Sequence, residues 1–152
     1  MANPSVPDDA DLAAAAPSTI VRVASGLVMV AGLAAVLVGV QNLIGFRISG
    51  LYLAMLVALV ALGLAAIGVG WVHGKARAWA AVASMVLALL LLAGSAAWVI
   101  VSFLGGGLSM MAFFAVGLSG LAVLAVPFSI GPCRRATAAQ QKLHDAGLDL
   151  GL

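Results

Sequence analysis

The sequence predicts an all-α polytopic membrane protein, an antiparallel four-helix transmembrane bundle, and three observations carry that expectation. Of its 152 residues, 64% are hydrophobic and 8% charged, at a mean hydropathy of +1.23; soluble domains run near ~45–50% apolar and ~25% charged. Four stretches, Val23–Ile44, Leu51–Val72, Ala78–Leu104 and Leu108–Ile130, hold no Asp, Glu, Lys or Arg, and each exceeds the about 20 helical residues that cross ~30 Å of hydrocarbon. The apolar runs are continuous rather than alternating, so they read as helices and not as barrel strands.

Ahead of the first span, Pro4, Pro7 and Pro17 stand among Ala and Asp, a composition with too little apolar surface to bury. Residues 1–19 are therefore expected to be a disordered tail. The flank Asp8-Asp9-Ala10-Asp11 is acidic and the apolar run behind it is long, which fits a retained anchor rather than a cleaved signal peptide. The transmembrane domain is expected over 20–131, with 132–152 as a C-terminal tail. Within the last span Pro127, and then Pro132 after Gly131, are expected to kink or end the helix. Beyond them Ala136, Ala139, Leu143, Ala146 and Leu150 recur at intervals of three and four, the pattern of a short amphipathic helix lying on the membrane or on a partner.

Orientation follows from the cations. With the N-terminus inside, the inner segments hold Arg22, Lys75, Arg77, Arg134, Arg135 and Lys142, while the outer ones hold Arg47 alone. The positive-inside rule then places both termini in the cytoplasm. Trp71, Trp79 and Phe128 flank the inner side and Phe46 and Tyr52 the outer side, as interfacial aromatics do. The dominance of Ala, Val, Gly and Leu suggests a bacterial source, hence the inner membrane.

Helices in lipid associate by close packing, so small residues mark their contacts. Ala54, Ala58, Ala61, Ala65 and Gly68 line one stripe of the second span; Ser84, Ala88, Ser95 and Ser102 do so in the third. The first span offers Ala31, Ala35 and Gly39, and the fourth Ala112, Ala115, Ser119 and Ala122. Spacings near 3.5 residues suit left-handed packing at about +20°, and Ala58→Ile is expected to overpack the second-span stripe. The short connections at 45–50, 73–77 and 105–107 make successive helices antiparallel neighbours, the last as a glycine turn using positive φ. Similar basic flanks after the second and fourth spans hint at a duplicated hairpin.

Chemistry is sparse. The spans carry no ionisable group of the kind that coupled transport needs. There is no glutamate anywhere, which argues against likeness to the small multidrug exporters with their membrane-embedded Glu. The single cysteine, Cys133, cannot pair within the chain, against the four-helix quinone-linked thiol oxidoreductases. No polar track suits a small fluoride channel. Basic residues sit beside apolar runs, not among exposed aromatics, so nucleic acid is not an expected partner. His73, Cys133 and His144 lack ligand-like spacing, and no cofactor, metal site or catalytic residue is expected; an enzyme would have to work at the membrane face through His73 or His144.

Three groups of residues remain as candidates. The inner hairpin, with Trp71, His73, Lys75, Arg77 and Trp79, is joined by Arg134 and Arg135 as a candidate contact for anionic lipid headgroups or a partner; His73 reads there as a solvated loop residue. This stretch resembles the inter-span connection of many small bacterial membrane proteins, a resemblance confined to it and implying no activity. Gln41, Asn42, Ser95 and Ser102 would supply a weakly polar path, although the two amides sit where the first helix ends. Cys133 reads as an ordinary cytosolic thiol beside Arg134-Arg135, a setting in which acylation also occurs. The expected function is thus a non-catalytic accessory, assembly or scaffold component that packs laterally against membrane lipids, another membrane protein or its own copies. The alternative is a homo-oligomeric channel or transporter-like protein.

Overall fold

The structure is a computed structural model that describes residues 9–45, 50–105 and 109–147. Five helices follow in order: α1 (Asp9–Ala15), α2 (Thr19–Gly45), α3 (Gly50–Gly74), α4 (Ala78–Leu104) and α5 (Met110–Asp145). The last four are long and apolar enough to cross a membrane, which makes this an all-α, multi-pass membrane protein. At about 1.5 Å per residue, α2, α3 and α4 each measure roughly 37–40 Å and α5 about 54 Å. A hydrocarbon core of ~30 Å therefore holds the first three with little excess, while α5 must project from it.

The four long helices pack as a ring, α2 against α3, α3 against α4, α4 against α5 and α5 back against α2. Of the two diagonals only α2–α4 brings backbones close; α3 and α5 do not adjoin among the described residues. The core is built from Ala24, Val28, Ala31, Ala35, Leu56, Leu59, Ala66, Ala88, Leu91, Ala115, Ala122 and Val126 among others. Leu, Val, Ile and Phe cover the outside, a surface suited to lipid tails.

Why α2 and α3 are so intimate is visible in their glycines. A Cβ at Gly32 would lie 2.6 Å from the Gly63 carbonyl oxygen, and one at Gly63 would lie 2.5 Å from that of Gly32. Each helix thus presents its backbone to the other, an approach that only glycine permits. Gly39 against Val60 and Gly70 against Met29 extend the seam in both directions.

The small-residue stripes divide accordingly. Ala31, Ala35, Ser84, Ala88, Ser95, Ala112, Ala115, Ser119 and Ala122 all lie buried. In α3, however, the buried face is Leu56, Leu59, Gly63, Ala66, Gly70 and His73, and the stripe Ala54, Ala58, Ala61, Ala65 and Gly68 lies exposed on the opposite side. Ala58→Ile is accordingly not a core substitution. Both faces of α3 have the right spacing; the glycine-lined one wins because it lets α2 come closer.

Expectations about the ends and one turn are corrected. Residues 9–15, read as part of a disordered tail, form α1, which opens on Asp9 and Asp11, acids that complement a helix N-terminus. Its Ala15 packs with Ala139 and Leu143 of α5, apolar partners a disordered tail would lack; residues 1–8 lie outside the described part. Of the kink or end expected at Pro127 and Pro132, the end does not occur: α5 is one helix through both, held by Val126, Ser129, Cys133 and Ala136 buried on its inner face. The expected amphipathic tail is that helix's continuation, and its apolar side is covered by α1 and by the α3–α4 hairpin rather than by lipid. Gly105 has a φ of −80° rather than a positive one; Gly106 and Gly107 lie outside the described residues, as do Phe46 and Arg47.

Candidate functional site

Most polar side chains of the interior, Ser25, His73, Ser84 and Ser129 among them, gather at the end of the bundle that carries the α3–α4 hairpin. Gly74, Lys75, Ala76 and Arg77 turn the chain there, with Ala76 at φ +58°, a left-handed conformation that costs a residue with a Cβ of order 1 kcal/mol. Thr137 of α5 clamps this turn: its hydroxyl donates to the Ala76 carbonyl at 3.0 Å and accepts from the Ala78 amide at 3.1 Å. One side chain thereby serves an orphan acceptor at the end of α3 and an orphan donor at the start of α4. Gln140, one turn on, donates to the Ala15 carbonyl at 3.0 Å and reaches that of Lys75 at 3.5 Å, tying α1 and the hairpin to α5. The Lys142–Asp11 pair, at 4.0 Å with the lysine largely exposed, adds little by itself.

His73 departs most from its sequence reading. It belongs to the last turn of α3, is fully buried, and its Nε2 lies 2.9 Å from Ser129 Oγ of α5. Because α3 and α5 face each other across the long diagonal, the imidazole spans the bundle axis. A loop position would have left it in water; the helix continues through Val72 and Gly74 and turns it inward. Cys133, one turn beyond Ser129, is likewise fully buried, packed in a cluster with Val21, Ala76, Ala81 and Ala136, although Arg134 and Arg135 beside it are exposed.

The remaining residues of the hairpin group stay outside. Trp71, Lys75, Arg77, Trp79, Arg134 and Arg135 are all exposed. Thr137 gathers them by binding hairpin to α5, so that Lys75 and Arg77 share one collar with Arg134 and Arg135. His144 is exposed in the last turn of α5, so it and His73 do not meet. Among the described residues no three His, Cys, Asp or Glu side chains converge as metal donors would.

The polar-path residues are not brought together. Gln41 is exposed, and the Asn42 amide donates to the Val38 carbonyl of its own helix at 2.7 Å. Ser95 is buried and Ser102 half-buried. From the Ala78–Thr137 bond, counting at about 1.5 Å per residue places Ser84 within about 3 Å of the height of Ser129, and Ser95 within about 1.5 Å of that of Ser119. The two levels stand about 16 Å apart, with Ala88, Leu91, Ala122 and Val126 buried between them. Ser129, Thr137 and Gln140 were missed from sequence; their spacing on α5, at positions that continue the buried stripe, was the available signal.

The sequence matches no protein-family model and no curated protein, and the fold matches no solved structure.

Proposed function

We propose that this small membrane protein is a non-catalytic accessory, assembly or scaffold component that acts through lateral helix packing. The observation that carries this reading is the apolar layer of Ala88, Leu91, Ala122 and Val126 between the two polar levels of the interior. A conducting bundle needs a continuous file of polar groups or water, and here about 16 Å of packed aliphatic side chain interrupts it. A channel formed between copies would need its polar side chains on the outer surface, whereas Ser95 is buried and Asn42 is engaged with its own helix, which leaves Gln41 as the exposed member of the group.

What the protein offers to others is therefore its surface. The exposed face of Ala54, Ala58, Ala61, Ala65 and Gly68 is a smooth strip on an otherwise bulky exterior, suited to a second membrane protein or a second copy. The basic, tryptophan-flanked collar suits anionic lipids on the cytoplasmic side, with both termini there; composition favours a bacterial inner membrane.

Photocrosslinking in native membranes tests this. A crosslinker at Ala61 is expected to capture a specific partner or a second copy, and one at exposed Leu121 on α5 is not. Ala58→Ile should abolish the Ala61 adduct while shifting the stability of the purified bundle by no more than about 0.5 kcal/mol. Equal labelling at both positions, or solute flux through reconstituted liposomes, would overturn the reading.

A further inference from the structure

The hydrogen bonds around His73 determine its tautomer. Ser129 Oγ donates its single hydrogen to the Val126 carbonyl at 2.6 Å, so toward the imidazole it can only accept. His73 Nε2 therefore carries the N–H that bridges to it at 2.9 Å. That leaves Nδ1 as a bare lone pair, in a side chain with no exposure, meeting no donor from the protein. On α4, Ser84 Oγ is equally buried and equally without a protein partner, and it stands within about 3 Å of the height of Ser129.

Two orphaned polar atoms at one level of a closed core are an expensive arrangement, each costing about 1–3 kcal/mol if left unbonded. The Ser84 hydroxyl does not reach Nδ1 directly, so what serves both is a third group, one that donates to Nδ1 and also bonds a hydroxyl. We propose that a single water molecule is bound on the bundle axis at the hairpin end, donating to His73 Nδ1 and hydrogen-bonded to Ser84 Oγ. Those two partners lie within the two to four that buried waters take. A metal ion is disfavoured because no three donor side chains converge among the described residues, and a larger ligand because His73, Ser84 and Ser129 are themselves without exposure.

With its water, His73 becomes a neutral pin through three helices, bonded directly to α5 and through water to α4. Its own carbonyl accepts from the Ala76 amide at 2.8 Å, so the pin also anchors the strained residue of the hairpin.

The site is read by NMR of the full chain in lipid nanodiscs with 15N-labelled histidine; there are two histidines, and His144→Gln assigns the spectrum. The expected result is an Nε2–H ring at His73, cross-relaxation between its ring protons and water, and an Nδ1 resonance that moves in Ser84→Ala while Nε2 holds. Ser129→Ala should move Nε2 instead. Ser84→Cys, close in size and able to keep the helix packed, repeats the Nδ1 measurement should the alanine variant misfold. An Nδ1–H ring, no water cross-peak, or an Nδ1 resonance indifferent to both Ser84 substitutions overturns the proposal.

Discussion

His73 of α3 and Ser129 of α5 meet at 2.9 Å across the long diagonal of the bundle, joining two helices whose backbones do not otherwise adjoin. The bond fixes the axial setting of α3 against α5, because a slide of one residue, about 1.5 Å, would break it.

Removing the two halves of this bond should have unequal effects. Ser129→Ala deletes one hydroxyl, and interhelical hydrogen bonds in membranes contribute roughly 0.6–1.7 kcal/mol. His73→Ala also opens a cavity on the axis and should cost about 2–5 kcal/mol, as large-to-small core changes do. A double-mutant cycle, followed by unfolding in mixed detergent micelles, should return a coupling within the hydrogen-bond range; zero coupling would mean that the two side chains do not interact.

The α2–α3 seam makes a sharper distinction between glycines. Gly32→Ala would drive a methyl into the Gly63 carbonyl, a backbone atom that cannot step aside, and should destabilise by about 1–3 kcal/mol. At Gly68 nothing lies within 4 Å of an added Cβ, so Gly68→Ala should be neutral or stabilising by roughly 0.5–1 kcal/mol through helix propensity. Thermal unfolding of the two variants side by side checks the order, and a stable Gly32→Ala protein would contradict the close approach.

Cys133 provides a native probe of the same end. Its thiol is fully buried although Arg134 and Arg135 beside it are exposed, so maleimide must wait for local opening. Labelling should be at least about tenfold slower than at Arg135→Cys in a Cys133→Ser background, an opening cost above roughly 1.4 kcal/mol. Equal rates would mean that α5 frays beyond Pro132. Leu143→Asp, which strikes the contact with Ala15, should speed hydrogen exchange in α1 while leaving Cys133 protected.

The four spans needed nothing beyond the sequence. Uncharged apolar runs longer than a bilayer is thick have one backbone solution in lipid, and Val23–Ile44, Leu51–Val72 and Ala78–Leu104 lie within α2, α3 and α4, with α5 covering the fourth from Met110 onward. The inward stripes of α2, α4 and α5 were legible too, since on each of these helices one set of small residues at intervals of three and four stands out. Helix α3 shows the limit of that signal: it carries two small-residue faces, and the side that turns inward was decided by where the glycines of α2 lie. Periodicity within one helix holds no information about its neighbour.

The same reason separates what remained. Length and hydropathy determined a four-helix membrane bundle, and charge placement supplied an expected orientation. Only the tertiary structure decided that α5 runs unbroken past Pro127 and Pro132, that α1 folds onto it, and that His73 points inward rather than into water. Each of these depends on a contact between residues far apart in the chain, Ala15 with Leu143, Thr137 with Ala76 and Ala78, His73 with Ser129. Local propensity counts a proline or a lone histidine as a boundary, whereas burial on a long-range partner supplies the free energy that overrides it.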